Sequence, residues 1–241
     1  MRITALLSFY DENPAWLAEC VAATSKLADH VIAVDGAYGH FPGSLQKPFS
    51  PAEQIDAIVH TAAGCGMGVT VHQIRQPWFG GEWGGEVSKR DMMFKLGMAF
   101  AEPDDWFFRV DADEFLTEVP ADTRLRLATS KHDVAEAMLW ERESSYDIEM
   151  GGDSQHPLRC LFRAIPGIRI EQAHFVASAP VNGERVFLSG PRGVSAEPLW
   201  DVRLEHRTRM RTASRQRLKA EYNPIINILE KVEDGPRPEN F

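Results

Sequence analysis

Apolar residues along the chain switch their spacing from strand-like to helix-like and back. Ile3 to Phe9 form a short apolar run closed by the polar cluster Asp11-Glu12-Asn13-Pro14, the length and ending of a buried strand. Asn13 is placed to cap a helix with Pro14 at its first position. Trp16, Leu17, Cys20, Val21, Thr24 and Leu27 then recur at helical spacing. Val31 to Val34 is a second strand ending in Asp35-Gly36. Ser50-Pro51 opens a helix with Ile55, Ile58 and Val59 on one face, and Val69 to Ile74 reads as a third strand. A loop rich in Gly and Trp (78–85) precedes a helix from about Ser88, and Trp106 to Val110 form a fourth strand running into Asp111-Ala112-Asp113-Glu114. Strands alternating with helices predict an α/β fold whose mostly parallel central sheet is covered on both faces.

After about residue 117 the pattern becomes mixed. A helix is expected at 121–130, and strands near 134–141, 158–163, 168–171 and 173–177. A C-terminal helix is expected through about Leu229, followed by a disordered tail at 233–241. No linker divides the chain, so the expectation is one catalytic domain over 1–241. Its first half, 1–117, holds the ligand-binding strand ends, and 118–232 forms the other side of the site.

The sharpest chemical signal is Asp111-Ala112-Asp113 at the end of an apolar strand. In extended backbone, residues i and i+2 point to one side, so two carboxylates converge on one cation. Oxygen ligands of this kind suit Mg²⁺ or Mn²⁺, which protein sites share with substrate phosphates. Open α/β sheets bind ligands at these carboxyl ends. The competing reading is a solvated acid cluster at a strand end. Asp35 ends the second strand with Gly36 beside it, and is either a ligand-binding carboxylate or an ordinary turn Asp.

Four segments, Leu6-Leu7-Ser8-Phe9-Tyr10-Asp11-Glu12, Val34-Asp35-Gly36, Lys89-Arg90-Asp91 and Trp106 through Phe115, occur in that order. Together they resemble the GT-A fold glycosyltransferases, particularly the family 2-like group. The likeness covers residues 3–117 and touches Leu158-Arg159-Cys160-Leu161-Phe162-Arg163 and His174. Asp91 stands where that group usually has Asn, and Asp35-Gly36-Ala37 where many members have Asp-Asp-Gly. The resemblance implies a GT-A-type, Rossmann-like sheet and a nucleotide-diphosphate sugar donor, UDP-sugar favoured, with Mn²⁺ or Mg²⁺. It implies that Ser8 and Tyr10 lie beside the nucleobase, that Asp35 contacts base or ribose, and that Arg90 lies near the donor. Asp111 would contact ribose or metal, and Asp113 would ligate the metal directly. His206, from a late strand, is the favoured further ligand, with His174 its competitor.

Composition adds three things. The chain has 241 residues, 44% hydrophobic and 25% charged, ordinary for a folded domain with a sizeable core. Cys20, Cys65 and Cys160 are too few and too scattered to signal a disulfide frame or a zinc site. No apolar run approaches the ~20 residues of a membrane span, and the start lacks a signal peptide, so a cytoplasmic protein without a transmembrane segment is expected. The net charge of −9 argues against nucleic acid as a partner, yet it is uneven. Between Arg203 and Lys219 lie seven basic residues and one acid, leaving a balance of −15 elsewhere. Arg207, Arg209 and Arg211 are candidates to contact a diphosphate, or belong to a solvated basic face.

An inverting transfer also needs a carboxylate to deprotonate the acceptor hydroxyl. Glu141, at the end of the strand from Ala135 to Trp140, is the favoured base over Glu143, Asp147 and Asp153. The Trp78 to Trp83 loop offers aromatic faces for a sugar, and Tyr38 to Gly43 reads as a flap. The expected function is metal-dependent glycosyl transfer to a hydroxyl acceptor on a glycan, protein, lipid or small molecule. The alternatives are a catalytically inactive nucleotide-binding homologue, or a binding protein acting through the basic 203–219 stretch.

Overall fold

The computed structural model describes residues 1–80, 85–141, 154–171, 176–207 and 217. Its elements are β1 (Ile3–Ser8), α1 (Pro14–Thr24), β2 (His30–Val34), α2 (Ala52–Gly64), β3 (Gly68–His72), α3 (Glu86–Met98), β4 (Trp106–Asp111), β5 (Glu114–Glu118), α4 (Thr123–Thr129), β6 (Val134–Glu141), β7 (Ser154–Arg163), β8 (Arg169–Ile170), β9 (Ala177–Val181), β10 (Glu184–Phe187) and β11 (Glu197–His206). Eight strands form one sheet in the order β3-β2-β1-β4-β7-β6-β11-β5, and β10-β9-β8 form a second. In the large sheet β3, β2, β1 and β4 are mutually parallel, as are β6 and β11. β7 is antiparallel to β4 and β6, and β5 to β11. The mostly parallel α/β sheet expected from the sequence is present, and it takes in strands from both sides of residue 117.

Helices cover both faces of the sheet, which is why its central strands read as unbroken apolar runs. Ala5 and Leu7 of β1 join a core with Leu17, Cys20 and Val21 of α1 and Ile58 and Ala62 of α2. Leu6, one residue out of phase, joins the opposite core with Met93 and Phe94 of α3. Asn13 caps α1 as its position suggests, its Oδ1 accepting from Ala15 N at 2.8 Å, with Pro14 in the first turn. Ser50 departs from its expected place at the start of α2. Its hydroxyl donates to Asp35 Oδ1 at 2.6 Å, and α2 begins after Pro51 with no side-chain cap.

One constraint shapes the large sheet. Ala112 and Asp113 alone separate the end of β4 from the start of β5, and three Cα steps reach at most about 11 Å. Yet β5 lies four places from β4 in the sheet, about 19 Å if the sheet were flat. The sheet therefore curls, bringing its far edge back to the end of β4. Neither β5 nor β10 was expected from the sequence, and β11 extends the alternating run at Leu199–Leu204. Helix α3 starts at Glu86 rather than Ser88, and β9 starts at Ala177, the strand expected over 173–177 lying mostly outside the described residues. So do the C-terminal helix, apart from the helical Arg217, and the tail.

Helix α3 lies against β4 through Gly97, where an added Cβ would come within 2.6 Å of Phe107 Cε1. Phe107 is buried in the α3-side core, so it has little room to retreat. G97A is expected to cost about 1–3 kcal/mol. G64A, with nothing within 4 Å, serves as the control and should cost nothing. Urea unfolding of the two variants checks this.

Candidate functional site

Strand register decides which side chains meet. Ser8 pairs with Val34 on β2 and Asp111 on β4, while His206 pairs with Glu141 on β6 and Glu114 on β5. The short β4–β5 turn joins these two rows at the carboxyl ends of β1, β2, β4, β6 and β11.

Asp111 is gripped from α3. Arg90 Nη1 and Nη2 donate to its Oδ1 and Oδ2 at 2.7 and 2.8 Å, a two-point fork. Arg90 is itself held by Glu86, one helical turn earlier, through Nε–H to Oε1 at 3.0 Å. Burial would raise the Asp111 pKa, but the guanidinium overrides it and holds the carboxyl at about 2. The Asp111 backbone N–H donates to Glu114 Oε2 at 2.9 Å. Burial, with the Asp111 charge added, pushes Glu114 up to about 7.

Asp113 is turned the other way. Its Oδ2 lies 3.1 Å from His206 Nε2, and Glu141 Oε2 lies 2.8 Å from His206 Nδ1. Burial disfavours charge on the imidazole, but Asp113, Glu114 and Glu141 outweigh it and raise the pKa to about 9. His206 thus donates to both carboxylates at neutral pH. The structure brings together Asp111, Arg90, His206 and Glu141 from four separate elements, and Asp113 from the turn between β4 and β5.

Asp35 sits apart from this cluster and is wholly buried. Ser50 N–H and Gln73 Nε2 donate to its Oδ2 at 2.7 and 2.8 Å, and Ser50 Oγ donates to Oδ1. Its carboxylate organises the loop that follows β2. Ser8 is buried and hydrogen-bonded to the Tyr38 phenol. Tyr10 packs edge-on against Phe41, and its hydroxyl donates to Lys47 O at 2.5 Å. The expected flap is therefore pinned over the end of β1. Arg207 faces Glu19 and Glu205, each at 2.5 Å, with its guanidinium 4.2 Å from the centre of the Phe115 ring. Trp78 is buried with Nε1 donating to Asp35 O at 2.8 Å, whereas Phe79 is exposed. Trp83, Glu143, Asp147, Asp153, His174, Arg209 and Arg211 lie outside the described residues.

Lys89 has a part that the sequence did not reveal. Its Nζ is buried and donates to Phe9 O at 2.6 Å and Gly36 O at 2.9 Å, tying the residue after β1 to the loop after β2. Burial lowers its pKa to about 7. Glu86 was also missed, although its i, i+4 spacing to Arg90 is a readable sign of a helical ion pair.

Among the described residues, no group of three or more His, Cys, Asp or Glu has the arrangement of a metal cage, and no helix is long and apolar enough to cross a membrane. No family model and no curated protein matches the chain. Solved structures do match. One is the mannose-6-phosphate isomerase from Helicobacter pylori, 6% identical, with 86% of this chain and 98% of that chain covered and a TM-score of 0.36. A likeness that slight carries no argument about activity.

Lys89 makes a pH signature. Between about pH 7 and 10.5 the unfolded lysine keeps a proton that the folded one has released, so its contribution makes stability rise with pH across that window. K89M removes the titrating group. Wild type should gain on K89M by up to about 1.4 kcal/mol per pH unit when both are unfolded in urea from pH 7 to 10. A gap that does not change with pH would contradict this placement of Lys89.

Proposed function

We propose that the chain is a metal-dependent glycosyltransferase, moving a sugar from a nucleotide-diphosphate sugar, UDP-sugar favoured, to a hydroxyl acceptor. The observation that carries this reading is the convergence of Asp113 and His206 beside an Asp111 that is fixed and ionised, at the carboxyl end of an α/β sheet.

The residues fit Mn²⁺ or Mg²⁺ as a two-ligand site. Asp113 Oδ2 and His206 Nε2 stand 3.1 Å apart, close to the ~3 Å edge between adjacent ligands in an octahedron of bonds near 2.1 Å. A site with one carboxylate and one imidazole leaves positions for diphosphate oxygens and water, as phosphate-bound divalent sites do, and the imidazole favours Mn²⁺ over Mg²⁺. The cation would offset negative charge growing on the departing nucleoside diphosphate. His206 must give up its Nε2 proton to ligate, so occupancy favours higher pH.

Arg90 keeps Asp111 ionised and holds its carboxylate in one orientation. Asp111 is partly exposed, so its oxygens keep lone pairs for a ribose hydroxyl. Lys89 fixes the separation between the ends of β1 and β2, where a nucleobase would enter. Phe79, exposed beside that entrance, offers an apolar face to the donor.

The test is nucleotide release from a panel of nucleotide sugars, UDP-sugars first, with and without Mn²⁺. Slow Mn²⁺-dependent hydrolysis is expected, abolished by chelation and lowered at least 100-fold in D113A, the scale for losing a transition-state charge stabiliser. Binding without turnover in the wild type would mark an inactive nucleotide-binding homologue. No donor binding by calorimetry across the panel with Mn²⁺ would sink the proposal.

A further inference from the structure

Glu141 ends β6 and is locked in parallel register with His206, the last residue of β11. A one-residue slip between the two strands would turn one of these side chains to the other face of the sheet, away from its partner, so the pairing is built into the sheet and not into a loop. The carboxylate Oε2 accepts a hydrogen bond from His206 Nδ1–H at 2.8 Å, while Nε2 faces Asp113. Both side chains keep partial exposure, so the pair lies at the mouth of the site.

We propose that Glu141 is a positioning residue for His206: it holds the ring by Nδ1–H and so presents Nε2 beside Asp113. This rests on the reading of His206 as a ligand. The physical reason is general. A ligating imidazole has one nitrogen for the cation, and a carboxylate on the other nitrogen fixes tautomer and ring orientation and makes the ligand more basic. Were a cation to take Nε2, that nitrogen's proton would pass to solvent, and the Nδ1 proton would stay on the ring, donated to Glu141. Glu141 Oε2 already meets an imidazole N–H, which is the contact a positioning role requires.

The test uses the full chain, Mn²⁺ with UDP as the probe, and E141A, E141Q and H206A. Free Mn²⁺ is followed by electron paramagnetic resonance, and the His206 ring nitrogens by ¹⁵N NMR without metal. E141A is expected to weaken Mn²⁺ binding by about 10–100-fold. E141Q, which can still accept from Nδ1–H, should recover most of that loss, and the Nδ1 resonance of His206 should move in E141A. Circular dichroism identifies any variant that has unfolded, and E141Q is then the variant that decides. If E141A binds Mn²⁺ as wild type does while H206A does not, the positioning role is overturned and the ligand reading stands. If wild type takes up no Mn²⁺ with UDP, the proposed function fails and this inference falls with it.

Discussion

The two residues between β4 and β5 govern the architecture around the site. A strand that leaves the middle of the sheet at Asp111 and re-enters its far edge at Glu114 forces the intervening strands to curl. That curl puts β11 beside the β4 end, and so places His206 against Asp113. Without it the acids of the turn would face solvent, and the histidine would belong to a distant edge. The Arg207 N–H bond to Asp113 O, at 2.8 Å, fastens the same closure from the other side.

Charge follows from that closure. Four carboxylates, those of Asp111, Asp113, Glu114 and Glu141, are drawn into one small volume, and each is costly to bury unless it is paired or protonated. The structure answers each differently: Arg90 forks Asp111, His206 bridges Asp113 and Glu141, and Glu114 is pushed up to about 7. These answers make Asp111 an ionised carboxylate held in place, and leave Asp113 with His206 as the pair that, under the proposed function, would face a cation. Lys89 works at the other end of the row, joining the β1 and β2 ends. The −15 balance outside the basic stretch therefore matters less than where the acids converge.

The elements legible in the sequence were those defined by local signals. β1, β2 and β4 are apolar runs of strand length, and Asn13-Pro14 announces α1. β5 was hidden because Glu114-Phe115-Leu116-Thr117-Glu118 follows the acids directly and pairs with residues 203–206, far along the chain. Asp111, Asp113 and His206 were legible as types and positions, but their division of labour was not. The Arg90 fork needs α3 laid across β4, and the Glu141–His206 bond needs a register between strands 65 residues apart. Asp35, before glycine at a strand end, is open in the sequence to two readings, a ligand-binding carboxylate or a turn Asp, and only the resemblance points to a base or ribose contact. Its partners, Ser50 and Gln73, arrive from separate segments.

The most direct measurement is a crystal structure of the chain with UDP and Mn²⁺. The account predicts manganese bonded to Asp113 and His206 and to the diphosphate, with the Arg90–Asp111 fork and the Glu141–His206 bond intact and the nucleobase near the ends of β1 and β2. A nucleotide bound elsewhere, or manganese that leaves Asp113 and His206 untouched, would contradict it.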